Sequence, residues 1–211
     1  MKIQELTKSV NATVAEVLFT LIYIVLRKKM GNSSCVLGMP VSGRVLPETE
    51  KIPGLFMNTI SLMLDYKGEE EFNKIIEYVK NKLNNAMVHQ MISIDDVVQY
   101  AKQHGGLTNI EKYFSMIVAV QNIRLKEEGL NSFALKDDIV SNIAPEFIVT
   151  DKELIFQVDI PVKSSKYDLY IEIFDLLKEK INEYSMGKEI CEFEEGTDIM
   201  DEFDFSKIGD V

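Results

Sequence analysis

The seventeen residues from Val14 to Met30 constrain the fold more than any other part of the chain. They are apolar on nearly every side of a helix, so no face is left for solvent. The predicted helix ends in a basic turn followed by Gly31, which is typical of a helix C-terminus. Asn11 and Thr13 are alternative caps for its start. Such a helix is expected to lie between other layers of the fold.

Strand and helix patterns alternate along the rest of the chain. The predicted strands are Cys35–Met39, Thr59–Tyr66, Tyr113–Val120 and a hairpin of Phe147–Thr150 with Glu153–Ile160. The remaining predicted helices are Met1–Ser9, Glu69–Val88, Ser93–Tyr100 closed by Gly105-Gly106, and Lys166–Ile181. Interleaved strands and helices predict an α/β class, with helices packed on a mixed β-sheet. A length of 211 residues suggests one domain or one large lobe.

The charge of the chain excludes a nucleic-acid partner. The formal net charge is −11, whereas binding a phosphate backbone needs a surplus of lysine and arginine. Residues 188–211 hold nine acids against two lysines, so −7 of that charge lies in the tail and −4 in the body. We therefore predict an acidic linker or tail over residues 182–211.

The cysteines and the apolar stretches indicate a cytoplasmic protein without a membrane partner. Cys35 and Cys191 form no pairing pattern and no metal-ligand spacing, which fits a reducing compartment and predicts no metal site. The most apolar stretch, Val17–Leu26, is shorter than the roughly 20 residues that span a bilayer. It also begins too late and lacks the small-residue cleavage site of a secretion signal.

The histidines give no sign of a catalytic base. His89 and His104 are the only two, and a lone histidine is more often a structural residue than a catalyst. Neither is followed four residues later by an aspartate, since Ser93 and Thr108 stand there.

Two loop segments carry candidate binding groups. Ser42-Gly43-Arg44 follows a predicted strand, where backbone N–H groups and a guanidinium bind anions, although a plain turn explains the triplet as well. In the segment from Gly54 to Thr59, Asn58 and Thr59 place an amide and a hydroxyl at the start of a strand. Their alternative role is to cap the strand and satisfy the turn backbone.

Read in order, four segments resemble the C-terminal half of the condensation domain of nonribosomal peptide synthetases. Gly38–Arg44 resembles that family's Gly-Thr-Pro-Val-Ala-Gly-Arg segment, and Ile52–Thr59 resembles its Ile-Gly-x-Phe-Val-Asn-Thr motif. His89–Asp95 resembles the His/Asn-Gln-Asp-x-Pro-Phe-Glu motif, and Val118–Asn122 the Phe-Val-Leu-Gln-Asn strand. The resemblance covers residues 1–181, which we predict to be the C-terminal lobe.

The chain departs from the family pattern in several places. Pro53 alters the second motif, and Met91, Ser93, Ile94 and Asp95 are substitutions in the third. Residues 104–109 replace an Arg-Asp and Ser-containing segment, which puts the acceptor side of the site in doubt. The family's His-His-x-x-x-Asp-Gly motif belongs to the N-terminal lobe and has no counterpart here.

The resemblance implies a chloramphenicol acetyltransferase-like lobe that forms one wall of a tunnel between two lobes. In the family, the amine of an acceptor aminoacyl thioester attacks a donor thioester, and both are tethered to carrier proteins by phosphopantetheine arms. This lobe would bind no cofactor itself, would contain no catalytic residue and would be inactive alone. Its tunnel or lobe-interface residues by resemblance are Ser42, Gly43, Arg44, Gly54, Asn58, Thr59, His89, Gln90 and Gln121.

The partners implied by the resemblance are the N-terminal lobe, peptidyl and aminoacyl carrier proteins, and adjacent synthetase domains. A homodimer through an exposed lobe face is a further alternative. Two other functions stay open at this point. One is a degenerate lobe that docks carrier proteins without catalysis, and the other is part of a coenzyme A-dependent O-acyltransferase.

Overall fold

A computed structural model describes residues 2–31, 34–68, 71–104, 113–122, 145–149, 154–157 and 167–185. Within these ranges the chain forms five α-helices, six β-strands and one short 3-10 helix. The helices are α1 (Lys2–Ser9), α2 (Val14–Met30), α3 (Phe72–Val88), α4 (Ile94–His104) and α5 (Tyr167–Ser185). The strands are β1 (Cys35–Val41), β2 (Asn58–Leu64), β3 (Met116–Ile117), β4 (Ala119–Asn122), β5 (Glu146–Val149) and β6 (Leu154–Gln157).

Helix α2 is the centre of the core, as its sequence predicted. Thr13 caps it: the Thr13 hydroxyl accepts from the Glu16 N–H at 3.2 Å, and the Glu16 carboxylate accepts from the Thr13 N–H at 2.6 Å. Gly31 ends the helix in the left-handed conformation, with φ of 62°. Residues 17–26 are all buried, because α1, α3, α5 and β1 pack around the helix.

The first sheet has the order β2-β1-β3. Strand β2 pairs antiparallel with β1 from Cys35 opposite Leu64 to Val41 opposite Asn58, and β3 pairs parallel with β1. In β2 the predicted alternation is confirmed, since Ile60, Leu62 and Leu64 are buried and the residues between them are only partly so.

A second small sheet, of order β4-β5-β6, is connected to the first through residues 116–122. The Val118 N–H donates to the Gly38 oxygen of β1, and the next N–H, of Ala119, donates to Pro145 ahead of β5. Strand β5 runs parallel to β4 and antiparallel to β6, so the predicted hairpin pairing is confirmed over the described residues. Its turn at 151–152 lies outside them.

The predicted strand Tyr113–Val120 was wrong at both ends. The strand begins at Met116, is interrupted at Val118 and continues to Asn122. Tyr113 is buried by packing against α4 residues Val98 and Ala101 and not by strand pairing. Burial without pairing leaves the same apolar pattern in the sequence as a strand does, which explains the error.

Two helices run past their predicted ends. Helix α4 continues from Tyr100 to His104, and the predicted stop at Gly105-Gly106 lies outside the described residues. Helix α5 continues past Ile181 to Ser185, because Tyr184 is buried and stacks on Phe72 of α3 at 4.1 Å between ring centroids. This contact fastens the last described turn to the core.

A tyrosine cluster secures the end of β2 against the helices. The Tyr66 N–H donates to the Tyr23 hydroxyl at 2.9 Å, and the Asp65 N–H donates to the Tyr78 hydroxyl at 3.0 Å. The Tyr78 hydroxyl in turn donates to the Asp65 carboxylate at 2.6 Å. Burial, and then this hydrogen bond, raise the pKa of Tyr78 above its ordinary value of 10.0. Burial raises the pKa of Tyr23 to about 12.

No single helix in the described part of the chain is long and apolar enough to cross a membrane. Helices α1 and α2 taken together have the length and composition of a membrane-spanning segment, but a bend of 97° separates them.

Candidate lobe interface and tunnel wall

The loop between β1 and β2 is organised around Arg44. Its guanidinium donates to the Thr49 oxygen, to the Ile52 oxygen at 3.0 Å and to the Gly54 oxygen at 3.1 Å. It also lies over the Phe56 ring, 4.4 Å from its centroid. The predicted anion-binding group is thus engaged within its own loop, where it folds the loop back on itself.

Gly43 allows the two ends of this loop to touch. Its φ is +64°, and a Cβ built on it would lie 1.8 Å from the Phe56 carbonyl oxygen. Only glycine fits a left-handed backbone in contact with another backbone. The neighbouring Ser42 is exposed, and so is Gly54 at the far side of the loop.

Asn58 joins this loop to the turn between α3 and α4. Its Nδ2 donates to the Gln90 oxygen at 2.8 Å and to the Ile92 oxygen at 2.7 Å. Its Oδ1 accepts from the Thr59 N–H at 2.8 Å. One half-buried amide therefore connects the start of β2 to a turn more than thirty residues further along the chain, a role close to the backbone-capping alternative raised by the sequence.

His89 and Gln90 form part of that turn. The His89 side chain is exposed at the C-terminal end of α3, and the His89 backbone N–H donates to the Ala86 and Met87 oxygens. Gln90 is half-buried, and its Nε2 donates to the Met87 oxygen at 3.0 Å. The other histidine, His104, stacks on a neighbouring ring of α4 and lies elsewhere.

Gln121 lies on the second sheet, apart from the loop and the turn. It is exposed on β4 opposite Ile148, and its Nε2 donates to the Glu146 carboxylate on β5. The structure thus brings together one group of predicted site residues, at the β1–β2 loop and the α3–α4 turn, and leaves Gln121 outside it. That group is Ser42, Gly43, Arg44, Gly54, Asn58, Thr59, His89 and Gln90.

Exposed apolar side chains lie in the same loop and turn, and no motif in the sequence indicated them. Of the eleven large exposed apolar residues in the described ranges, five lie between 45 and 57 and three between 88 and 92. We call five of these eight the apolar rim: Leu55, Met57, Val88, Met91 and Ile92. Leu55 is 86% exposed and Val88 77%. Large apolar residues in segments that contain turn signals would have been the sequence clue.

The described residues offer no assembled acid–base or metal site. Neither histidine ring lies within ion-pair distance of a carboxylate in these ranges, and they contain no cluster of three metal-ligating side chains. Cys35 is a free, fully buried thiol whose pKa is raised by burial, which keeps it protonated and unreactive.

Comparisons with known proteins identify the family. The family model for the condensation domain matches residues 1–182. One component of the linear gramicidin synthase of Brevibacillus parabrevis is 25% identical over 168 residues, which is 80% of this chain and 3% of that protein. Tyrocidine synthase 3 of the same organism is 24% identical over 174 residues, 82% of this chain and 2% of that protein.

Solved structures agree on the fold. The condensation domain of the Monacolin K polyketide synthase superposes with a TM-score of 0.68 at 12% identity, covering 90% of this chain and 46% of that one. The first condensation domain of the calcium-dependent antibiotic synthetase superposes with a TM-score of 0.62 at 15% identity, covering 86% and 41%.

The chain belongs to the condensation-domain family, and the two sequence relatives named above are nonribosomal peptide synthetases. Its mixed α/β fold, which the sequence predicted, is that of solved condensation domains. It spans about 3% of the length of the gramicidin synthase component and less than half of each of these two condensation-domain structures.

Proposed function

We propose that this chain is the C-terminal lobe of a condensation domain that forms amide bonds between carrier-protein-bound thioesters. In this role it provides one wall of a tunnel, and the group that handles the proton belongs to the N-terminal lobe. Residues 1–181 would form the lobe and residues 182–211 a linker to an adjacent synthetase domain. The proposed location is the cytoplasm.

One observation carries the proposal: most of the chain superposes on solved condensation domains but covers only 41–46% of them. A match of that extent is what one of two similar lobes would give. The order of the motifs from Gly38 to Asn122 supports the C-terminal lobe. The two histidines of the sequence are not adjacent, so neither belongs to a His-His-x-x-x-Asp-Gly motif.

The residues at the β1–β2 loop and the α3–α4 turn would act by positioning. Ser42 and Gly54 are exposed at the surface of the loop, and Arg44 keeps that loop in one shape through its three carbonyl contacts. Holding two tethered reactants in the correct geometry contributes several kcal/mol to a bimolecular step without any proton transfer. Phosphopantetheine arms of partner carrier proteins would enter from outside, and the chain would bind no cofactor of its own.

A second candidate is a carrier-protein docking module without catalysis. Arg44 is engaged within its loop and no acid–base pair is assembled among the described residues, which favours contact over chemistry. In that case the chain alone would bind a carrier protein, with no need for a second lobe.

The test is an amide-formation assay with two carrier proteins loaded with donor and acceptor aminoacyl groups. The isolated chain is expected to give no product, because the proton-handling group is elsewhere. Addition of the N-terminal half-domain of the same synthetase is expected to restore turnover. The control is that half-domain with the second histidine of its motif replaced by alanine.

Turnover by the isolated chain would overturn the lobe assignment. Tight carrier-protein binding by the chain alone, combined with no turnover after the N-terminal half-domain is added, would favour the docking module.

A further inference from the structure

Helices α3 and α4 both pack on β2, and one side chain, Asn58, adds a hydrogen-bonded connection between the β1–β2 loop and the α3–α4 turn. All three hydrogen bonds of the Asn58 amide go to backbone groups, two across to Gln90 and Ile92 and one to its neighbour Thr59. No alternative polar contact in the described residues makes this connection. Packing of the two helices sets the general position of the turn, and Asn58 fixes the local register between the turn and the loop.

The apolar rim lies on both sides of this connection. Met57 directly precedes Asn58, and Met91 lies between the two residues whose carbonyls Asn58 binds. Leu55 belongs to the loop that Arg44 folds back, next to the Phe56 backbone that touches Gly43. Exposed apolar residues in two segments that Asn58 connects indicate an interaction surface.

We propose that the apolar rim packs against the complementary half of the condensation domain, and that Asn58 is a positioning residue that keeps its two parts in register. This inference rests on the proposed function. A surface fixed before association loses less conformational entropy when it binds, and this raises affinity.

Two observations favour the complementary half of the domain over a carrier protein as the occupant. More than half of each compared condensation domain lies outside the matched region, so a surface of this fold has to meet it. Eight of the eleven large exposed apolar residues in the described ranges lie in the β1–β2 loop and at the α3–α4 turn, and permanent interfaces are more apolar than transient ones. A carrier protein binds transiently, and a more polar surface would suit that kind of contact.

The first part of the test examines Asn58 in the full chain alone, by amide hydrogen exchange. The Gln90 and Ile92 amides are hydrogen-bonded to Met87 and His89 within the turn. Asn58→Ala is expected to reduce their protection about tenfold, which corresponds to about 1.4 kcal/mol for the loss of the two bonds. Asn58→Asp is expected to reduce it equally at neutral pH, where a carboxylate faces two carbonyl oxygens.

The aspartate variant separates a hydrogen-bond role from a packing role. Below the pKa of the introduced carboxyl, its O–H can donate to one of the two carbonyls, so part of the protection is expected to return. Asn58→Ala has no such group and is expected to show no recovery after correction for intrinsic exchange. Equal protection in wild type and both variants would overturn the positioning role.

The second part measures the affinity of the chain for the N-terminal half-domain of the same synthetase. Leu55→Lys and Met91→Lys are expected to weaken binding at least about tenfold, as loss of a buried apolar contact does. Ile171→Lys on α5 is the matched control, since Ile171 is 45% exposed and outside the rim, and it is expected to leave affinity unchanged. Asn58→Ala is expected to weaken binding with the rim intact, and to reduce the effect of adding Met91→Lys.

The outcomes separate the two proposals. If the wild-type chain does not bind the half-domain, the proposed function fails, while the exchange result for Asn58 stands by itself. If the wild type binds and the rim variants match Ile171→Lys, the rim assignment is overturned and the proposed function survives. Sedimentation could instead show that the wild-type chain is a dimer and that Leu55→Lys is a monomer. A second copy of the chain would then be the occupant, and the assignment of the rim to the complementary half would be overturned.

Discussion

The core around α2 and the surface formed by the β1–β2 loop and the α3–α4 turn are held together by different forces. Around α2, ten consecutive residues are buried and the stabilisation comes from apolar contact. At the loop and the turn, large apolar residues stay exposed, and Arg44 and Asn58 provide order through hydrogen bonds to backbone carbonyls. Burial accounts for the stability of the first region, whereas the second uses polar bonds to present apolar groups outward.

The largest expected contrast comes from truncating one apolar residue in each region. Phe19→Ala in α2 is expected to destabilise the chain by about 3–5 kcal/mol, because it leaves a cavity in a closely packed core. Leu55→Ala in the apolar rim is expected to change stability by less than about 0.5 kcal/mol, because that side chain is already in water. Urea unfolding monitored by circular dichroism measures both. Similar losses for the two variants would show that the rim is packed within the chain itself.

A glycine substitution tests whether the loop depends on backbone geometry. Gly43→Ala is expected to lower the free energy of unfolding by about 1–3 kcal/mol, because alanine is strained in the left-handed backbone conformation. Its Cβ would also collide with the Phe56 carbonyl oxygen, which lowers stability further. Ser42→Ala, one residue away and exposed, is the control and is expected to stay near wild type. Thermal unfolding of both variants measures the difference, and a Gly43→Ala protein as stable as the control would mean that the loop has a second arrangement.

The smallest expected effect concerns the tyrosine cluster, which lies in the core region but depends on polar bonds. Tyr78→Phe removes a hydroxyl that both accepts from and donates to Asp65, at an expected cost of about 1 kcal/mol. The pKa of Tyr78 is raised in the folded state, so its contribution is complete below its ordinary value of 10.0 and is lost as pH rises through the folded pKa.

Urea unfolding between pH 8 and 11 checks this sign. Wild-type stability is expected to fall at the alkaline end, and less steeply in Tyr78→Phe. The remaining slope comes from the other buried groups whose pKa is raised, namely Cys35, Tyr23, Tyr113 and Tyr170. Tyr100→Phe, at an exposed position, is the control. An alkaline slope that is unchanged in Tyr78→Phe would exclude the hydroxyl as its source.

Burial patterns made the core predictable. The predicted bounds of α2 were correct at both ends, because the sequence carries a capping residue, Thr13, before the apolar run and Gly31 after it. The buried face of β2 was likewise correct, since side chains alternate across a strand. The strand Tyr113–Val120 was wrong because tertiary packing against α4 buries Tyr113 without pairing it.

The candidate site was predicted only in part. Motif resemblance selected Arg44, Asn58 and Gln90, but not their contacts, because each contact joins residues far apart in the chain or depends on how a loop folds back. The apolar rim was missed because an exposed apolar residue and a buried one look the same in a sequence. Gln121 lies apart from the others because residues 116–122 pass from one sheet to the other.

The sequence by itself determined the family, the order of helices and strands, and the central position of α2, since these follow from local periodicity and from motifs in order. Only the tertiary structure decided that Arg44 is engaged within its loop, that Asn58 joins the loop to the turn and that the apolar rim faces outward. The physical reason is the distance along the chain over which each property is determined. Periodicity is a property of neighbouring residues, whereas a hydrogen bond across thirty residues and the exposure of a side chain depend on the packing of the whole chain.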